Sequence, residues 1–90
     1  MNSHVTQGFR KLMAALPPEV RRQARAAYRQ FTENPRHPGL HFKQIHGSDW
    51  LVAVRISRDY RAVGVRRSPD EILWFWIGTH SEYERLLAKR

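Results

Sequence analysis

The chain has 90 residues and no cysteine, a length that supports one hydrophobic core and a composition that excludes disulfides and thiolate metal sites. Sixteen Lys and Arg stand against eight Asp and Glu, a formal charge of +8, with 41% apolar and 11% aromatic residues to build the core. That balance points to a polyanion partner, nucleic acid first and an acidic protein segment second. Thirteen of the sixteen cations are arginine, the residue suited to forked recognition of phosphate or carboxylate.

Phe9, Leu12, Met13 and Leu16 recur at helical spacing, with Thr6 placed to cap the first turn. Pro17-Pro18 ends this helix, and Pro18 opens a second. There Val20, Ala24, Ala27, Tyr28 and Phe31 line one face, and Arg21, Arg22, Arg25 and Arg29 line much of the rest. Two helices joined this tightly predict a hairpin packed on something larger. Asn34-Pro35 stops the second helix. The pattern then predicts strands over Leu40–His46, Trp50–Ile56, Tyr60–Arg66 and Ile72–Ile77, linked by turn-rich residues. Ile72-Leu73-Trp74-Phe75-Trp76-Ile77 is apolar throughout, so both of its faces must be covered. Gly78 follows as a place to turn, and Thr79 with Glu82 fits a capping box opening a last helix. Tyr83, Leu86 and Leu87 fall on that helix's inner face. The sum is an α+β fold over residues 1–90 as a single domain. A helical hairpin packs on an antiparallel four-stranded sheet, five-stranded if Ser3–Thr6 adds an edge, and a short C-terminal helix follows. No apolar run approaches the roughly 20 residues of a membrane span, and the N-terminus lacks a signal-peptide core, which reads as cytoplasmic.

Several residues could carry chemistry. With Ser57-Arg58-Asp59 as the hairpin loop, Ile56 faces Tyr60 and Arg55 faces Arg61. Two opposed arginines repel unless an anion sits between them, or unless each leans into water or meets an acid. His80 stands at the junction of a buried strand and a helix N-terminus. There it is either a neutral acid–base group or a simple cap. Tyr83 either offers its hydroxyl to a site or buries its ring. Lys43 alternates with Phe42 and can reach the groove of Arg61. His37, His41 and His46 lack a carboxylate at ligand spacing, so no metal site is assigned.

These pieces together resemble a known family. The helical hairpin, Asn34-Pro35 to Lys43, Val54-Arg55-Ile56, Asp59-Tyr60-Arg61-Ala62 and Trp76-Ile77-Gly78-Thr79-His80-Ser81-Glu82-Tyr83 are similar to the RelE/ParE superfamily of toxins from type II toxin–antitoxin systems, closest to its HigB- and YafQ-like group. The resemblance implies a RelE-like fold and a cytoplasmic bacterial toxin held by a cognate acidic antitoxin. It also implies ribosome-dependent mRNA cleavage by 2′-hydroxyl attack, with no cofactor or metal. Arg61 would stabilise the transition state and His80 would move the proton. Lys43, Arg55 and Tyr83 would position RNA. The same superfamily includes ParE-type inhibitors of DNA gyrase, which lack the catalytic set. A basic RNA-binding module without chemistry is the remaining alternative.

Overall fold

The apolar run at residues 72–77 lies where its composition demands, inside a sheet. The computed structural model describes residues 1–89. Its elements are β1 (Asn2–Val5), α1 (Gln7–Ala14), α2 (Pro18–Glu33), a 3-10 turn (Pro38–Leu40), β2 (Lys43–Gln44), β3 (Leu51–Ser57), β4 (Tyr60–Ser68), β5 (Glu71–Thr79) and α3 (His80–Ala88). The strand order is β1-β5-β4-β3-β2. β2 through β5 form the expected antiparallel meander, and β1 adds to β5 in parallel. The sheet is therefore mixed and five-stranded. The edge strand lies one residue earlier than Ser3–Thr6, because Thr6 leaves the ladder to cap α1 and its side chain accepts from Phe9 N–H at 3.0 Å.

One face of the sheet carries the helical hairpin. Val20, Ala24, Ala27 and Phe31 of α2 are buried as their spacing predicts. Tyr28 instead stays at the rim, where its hydroxyl donates to Ser3 O at 2.6 Å and ties α2 to the edge strand. The turn between the helices can be short because Arg21 folds back over it. Its Nη1 donates to Leu16 O at 2.7 Å and to Ala14 O at 3.3 Å, satisfying carbonyls that the end of α1 leaves open.

β5 covers both faces by a device that alternation does not reveal. Val63 pairs with Trp76 and Gly64 with Trp74, so Phe75 is left over as a bulge. The bulge resets the side-chain alternation. Ile72, Trp74 and Ile77 join the core under the hairpin, while Phe75 and Trp76 pack on the opposite face with α3. Gly64 has the close neighbour expected of it, since a Cβ there would lie 2.7 Å from Trp74 Cε3 and 2.9 Å from Ile72 Cγ2.

The strand expected over Leu40–His46 shrinks to Lys43–Gln44. Leu40 belongs to the 3-10 turn, capped by His37, and His41 adopts φ 45°, which breaks extended backbone just before Lys43. On the other side, Ser48 N–H donates to Ile45 O at 3.1 Å and starts the turn.

Candidate active site

The opposite face of the sheet is where the charged residues gather. Side chains of directly paired residues share a face, so the ladder fixes two rows. Arg55 pairs with Arg61, and Arg61 with Gly78. Lys43 pairs with Ala53, Ala53 with Val63, and Val63 with Trp76. The rows lie two residues apart, about 7 Å along the strands. Lys43, Arg55 and Arg61 thus stand on one surface, away from the helical hairpin, and α3 packs along it through Tyr83, Leu86 and Leu87.

The opposition of Arg55 and Arg61 is as the loop predicts, but Ile56 does not face Tyr60. Ser57 does, and the register shifts between Arg55 and Ser57. A bulge at Ile56 sends that side chain to the core under the hairpin and tightens the loop to Arg58-Asp59. The carbonyls of the tight turn then hold Arg61. Its Nη1 donates to Ser57 O at 2.7 Å, Tyr60 O at 2.9 Å and Arg58 O at 3.2 Å. Its other nitrogens make no hydrogen bond among the described residues. Nor does any Lys or Arg among them lie within ion-pair distance of the carboxylate of a described residue. A guanidinium anchored through one nitrogen, with its remaining N–H edge open, is oriented before any anion arrives.

His80 is brought beside this row by β5. Tyr60 pairs with Thr79, and His80 N–H donates to Asp59 O at 2.7 Å, stitching the start of α3 to the β3–β4 hairpin. The cap of α3 is made by Thr79, so His80 is not its capping residue. Thr79 N–H donates to Glu82 Oε1 at 2.8 Å and Glu82 N–H to Thr79 Oγ1 at 3.1 Å, the reciprocal box that the sequence predicts. The His80 ring, about half exposed, has Nε2 at 3.0 Å from Glu84 Oε1. It stacks on Tyr83 with centroids 6.0 Å apart and planes at 29°. Tyr83 takes the interior course: it is only 6% exposed and packs with Ile45, Ala53 and Val63.

Glu84, Trp76 and Arg85 adjoin this surface and do not stand out in the sequence. Glu84 could have been found, because it lies four residues after His80 on a helix. Trp76 could not, because strict alternation assigns it to the other face. Gly78 also has a different reason from the turn expected of it. It lies inside β5, and a Cβ would meet Trp76 Cζ2 at 2.6 Å and Glu82 Oε1 at 2.9 Å.

The hydrogen bonds from the Thr79 backbone and hydroxyl hold the Glu82 carboxyl below the ordinary glutamate value of 4.5, with Arg85 adding a smaller pull. A lowered folded-state pKa stabilises the fold above the unfolded value and loses that contribution as pH falls through the folded one. Replacing Glu82 by Gln is thus expected to destabilise the protein at neutral pH, with the difference from wild type shrinking in acid. Thr79→Ala is expected to cost about 1 kcal/mol at neutral pH. Urea titrations of the three proteins at several pH values check both.

The family described as ParE-like toxin domain matches residues 18–85. No curated protein matches the sequence. Among solved structures, the RelB–RelE antitoxin–toxin complex from Methanococcus jannaschii aligns at TM-score 0.73 and 14% identity, covering 92% of this chain and 96% of that one. YafQ from E. coli strain BL21(DE3) aligns at 0.71 and 9%, covering 91% and 96%. The isolated E. coli RelE toxin aligns at 0.64 and 16%, covering 98% and 96%. At these identities the structures establish the RelE-like fold. No helix among the described residues is long and apolar enough to cross a membrane. With that family matched over residues 18–85, well over half of the chain, the chain belongs to the ParE-like toxin domain family.

Proposed function

We propose that this protein acts as one toxin domain over residues 1–90 and cleaves mRNA on the ribosome in the cytoplasm. One observation carries the reading: Arg55 and Arg61 face each other without a carboxylate partner among the described residues, on the strand ends that adjoin His80. The chemistry they suit is transfer within RNA. The 2′-hydroxyl loses its proton and its oxygen bonds to the adjacent phosphorus. The bond from phosphorus to the 5′-oxygen breaks, that oxygen gains a proton, and a 2′,3′-cyclic phosphate remains. Negative charge builds on the non-bridging oxygens, where the open edge of Arg61, seconded by Arg55, stabilises it. His80 moves a proton, with Glu84 orienting its ring and Tyr83 supporting it from below. Lys43 positions the strand one row away. No cofactor takes part in these steps.

The +8 charge also fits an acidic antitoxin segment lying as a helix or strand across the hairpin or the basic rows. The RelB–RelE complexes among the structural neighbours support such a partner. The ParE-like description of the family favours a second reading, inhibition of DNA gyrase by protein binding, in which His80 is dispensable. Adding purified protein to translating ribosomes, to naked mRNA and to a gyrase supercoiling reaction separates the two. Discrete cuts that need ribosomes are expected. Intact mRNA together with blocked supercoiling would replace the nuclease reading with the second one.

A further inference from the structure

Next to the Arg61 row lies an open cleft of about 270 Å³, lined by Trp76, Glu82, Arg85, Leu86 and Lys89. Its geometry is set by Gly78, the strand partner of Arg61. Because residue 78 has no Cβ, the Trp76 indole and the Glu82 carboxylate both close on its Cα. Trp76 is only partly buried, unlike Trp74 under the hairpin. The Glu82 carboxylate is fixed by the capping box through Oε1, which accepts from both the backbone and the hydroxyl of Thr79. The same bonds hold its carboxyl below the ordinary glutamate range. Oε2 makes no hydrogen bond among the described residues. The cleft therefore offers an aromatic surface, an acceptor of fixed direction and two long cations.

Each of these answers one part of a nucleotide. A base stacks on an aromatic ring whatever its identity. A carboxylate accepts from an exocyclic amino group, as on cytosine N4 or adenine N6. Arg85 and Lys89 can meet phosphate. Uracil presents a carbonyl where cytosine presents the amine, so its lone pairs would face those of Glu82. We infer that this cleft is a nucleobase subsite, selective for an RNA base with an exocyclic amino group and against uracil. Its place beside the cut phosphate rests on the nuclease reading; its binding of a base does not.

The test is NMR of the indole N–H of Trp76, assigned by its loss in Trp76→Phe, during titration with cytidine or uridine monophosphate. The two rings have the same size and offer similar stacking. Cytidine monophosphate is expected to shift this resonance with affinity about tenfold above that of uridine monophosphate, the worth of one charge-assisted hydrogen bond. Inorganic phosphate, which meets only the cations of the cleft, is expected to shift it less than cytidine monophosphate does. Glu82→Gln keeps a residue suited to the capping box and is expected to erase the preference. Equal affinity for the two nucleotides, an equal shift with phosphate alone, or no shift with either would overturn the subsite. Selective binding by a protein that cuts no ribosome-bound mRNA would leave the subsite standing and remove the nuclease reading.

Discussion

Replacing Arg61 by Ala is expected to slow cleavage of ribosome-bound mRNA by about 10²–10³-fold, the usual cost of losing one preorganised charge stabiliser. His80→Ala is expected to cost about 10²–10⁴-fold, the range for a positioned proton-transfer group. The double variant should be little slower than the worse single one, because both groups serve one transition state. Neither loss should reflect unfolding. The Arg61 contacts are three carbonyls of an exposed tight turn, and the His80 ring is half exposed with a carboxylate partner on the surface. Arg61→Lys is the more searching variant. Lysine keeps the charge but has no planar fork, so it cannot hold the turn carbonyls and present a second donor edge together. It should remain slow. Recovery to near wild-type rate in Arg61→Lys would mean that charge alone matters and that the anchoring turn has no part in catalysis. Single-turnover cleavage on ribosomes, with thermal unfolding as the control, reads the wild type and the four variants.

The largest effect on stability is expected at Phe31. This residue is 2% exposed and sits edge-on to two rings, Phe42 at 4.9 Å and Trp74 at 5.3 Å. It thereby joins α2, the segment leading to β2, and β5. It also lines an apolar cavity of about 110 Å³ between the hairpin and the sheet, so truncation would enlarge a space that the neighbours have not closed. Phe31→Ala should cost about 3–5 kcal/mol. For a protein of this size, with roughly 5–13 kcal/mol in total, that removes a large part of the margin. A urea midpoint lowered without a change in slope is the expected result. A loss below about 1 kcal/mol would contradict the aromatic cluster as the anchor of the hairpin. The effect should stay local to folding, since Phe31 lies on the face opposite Arg61 and His80.

Features that rest on neighbours in sequence are legible without the structure. The capping box of Thr79 and Glu82 is one turn long, and the Pro17-Pro18 break and the Asn34-Pro35 stop act through the residues beside them. The Arg55–Arg61 pair is legible because a short loop leaves few registers. Features that depend on an extra residue in a ladder are not. The bulges at Ile56 and Phe75 change which face later side chains occupy, yet each leaves the hydrophobic pattern of its strand looking ordinary. The first moves Ser57 opposite Tyr60, and the second puts Trp76 beside Gly78 and Glu82. β1 is four residues pairing in parallel with a strand about 70 positions away, a contact with no local signature. The pattern overextends β2 because the left-handed backbone of His41 is a non-glycine exception that composition does not announce. Of the candidate site residues, Arg55, Arg61 and Lys43 share one face as expected. Tyr83 reads from the sequence both as core and as an RNA contact, and its ring is buried against Ile45, Ala53 and Val63 while stacking on His80.

The most direct measurement is the chemistry of the ends made when purified protein meets an mRNA on translating ribosomes. Attack by the 2′-hydroxyl should leave a 2′,3′-cyclic phosphate on the upstream fragment and a free 5′-hydroxyl on the downstream one, at discrete positions. The fragments should vanish with Arg61→Ala and with His80→Ala. Intact mRNA beside folded wild-type protein, or fragments with 5′-phosphate ends, would contradict charge stabilisation by the arginine pair and proton transfer by His80.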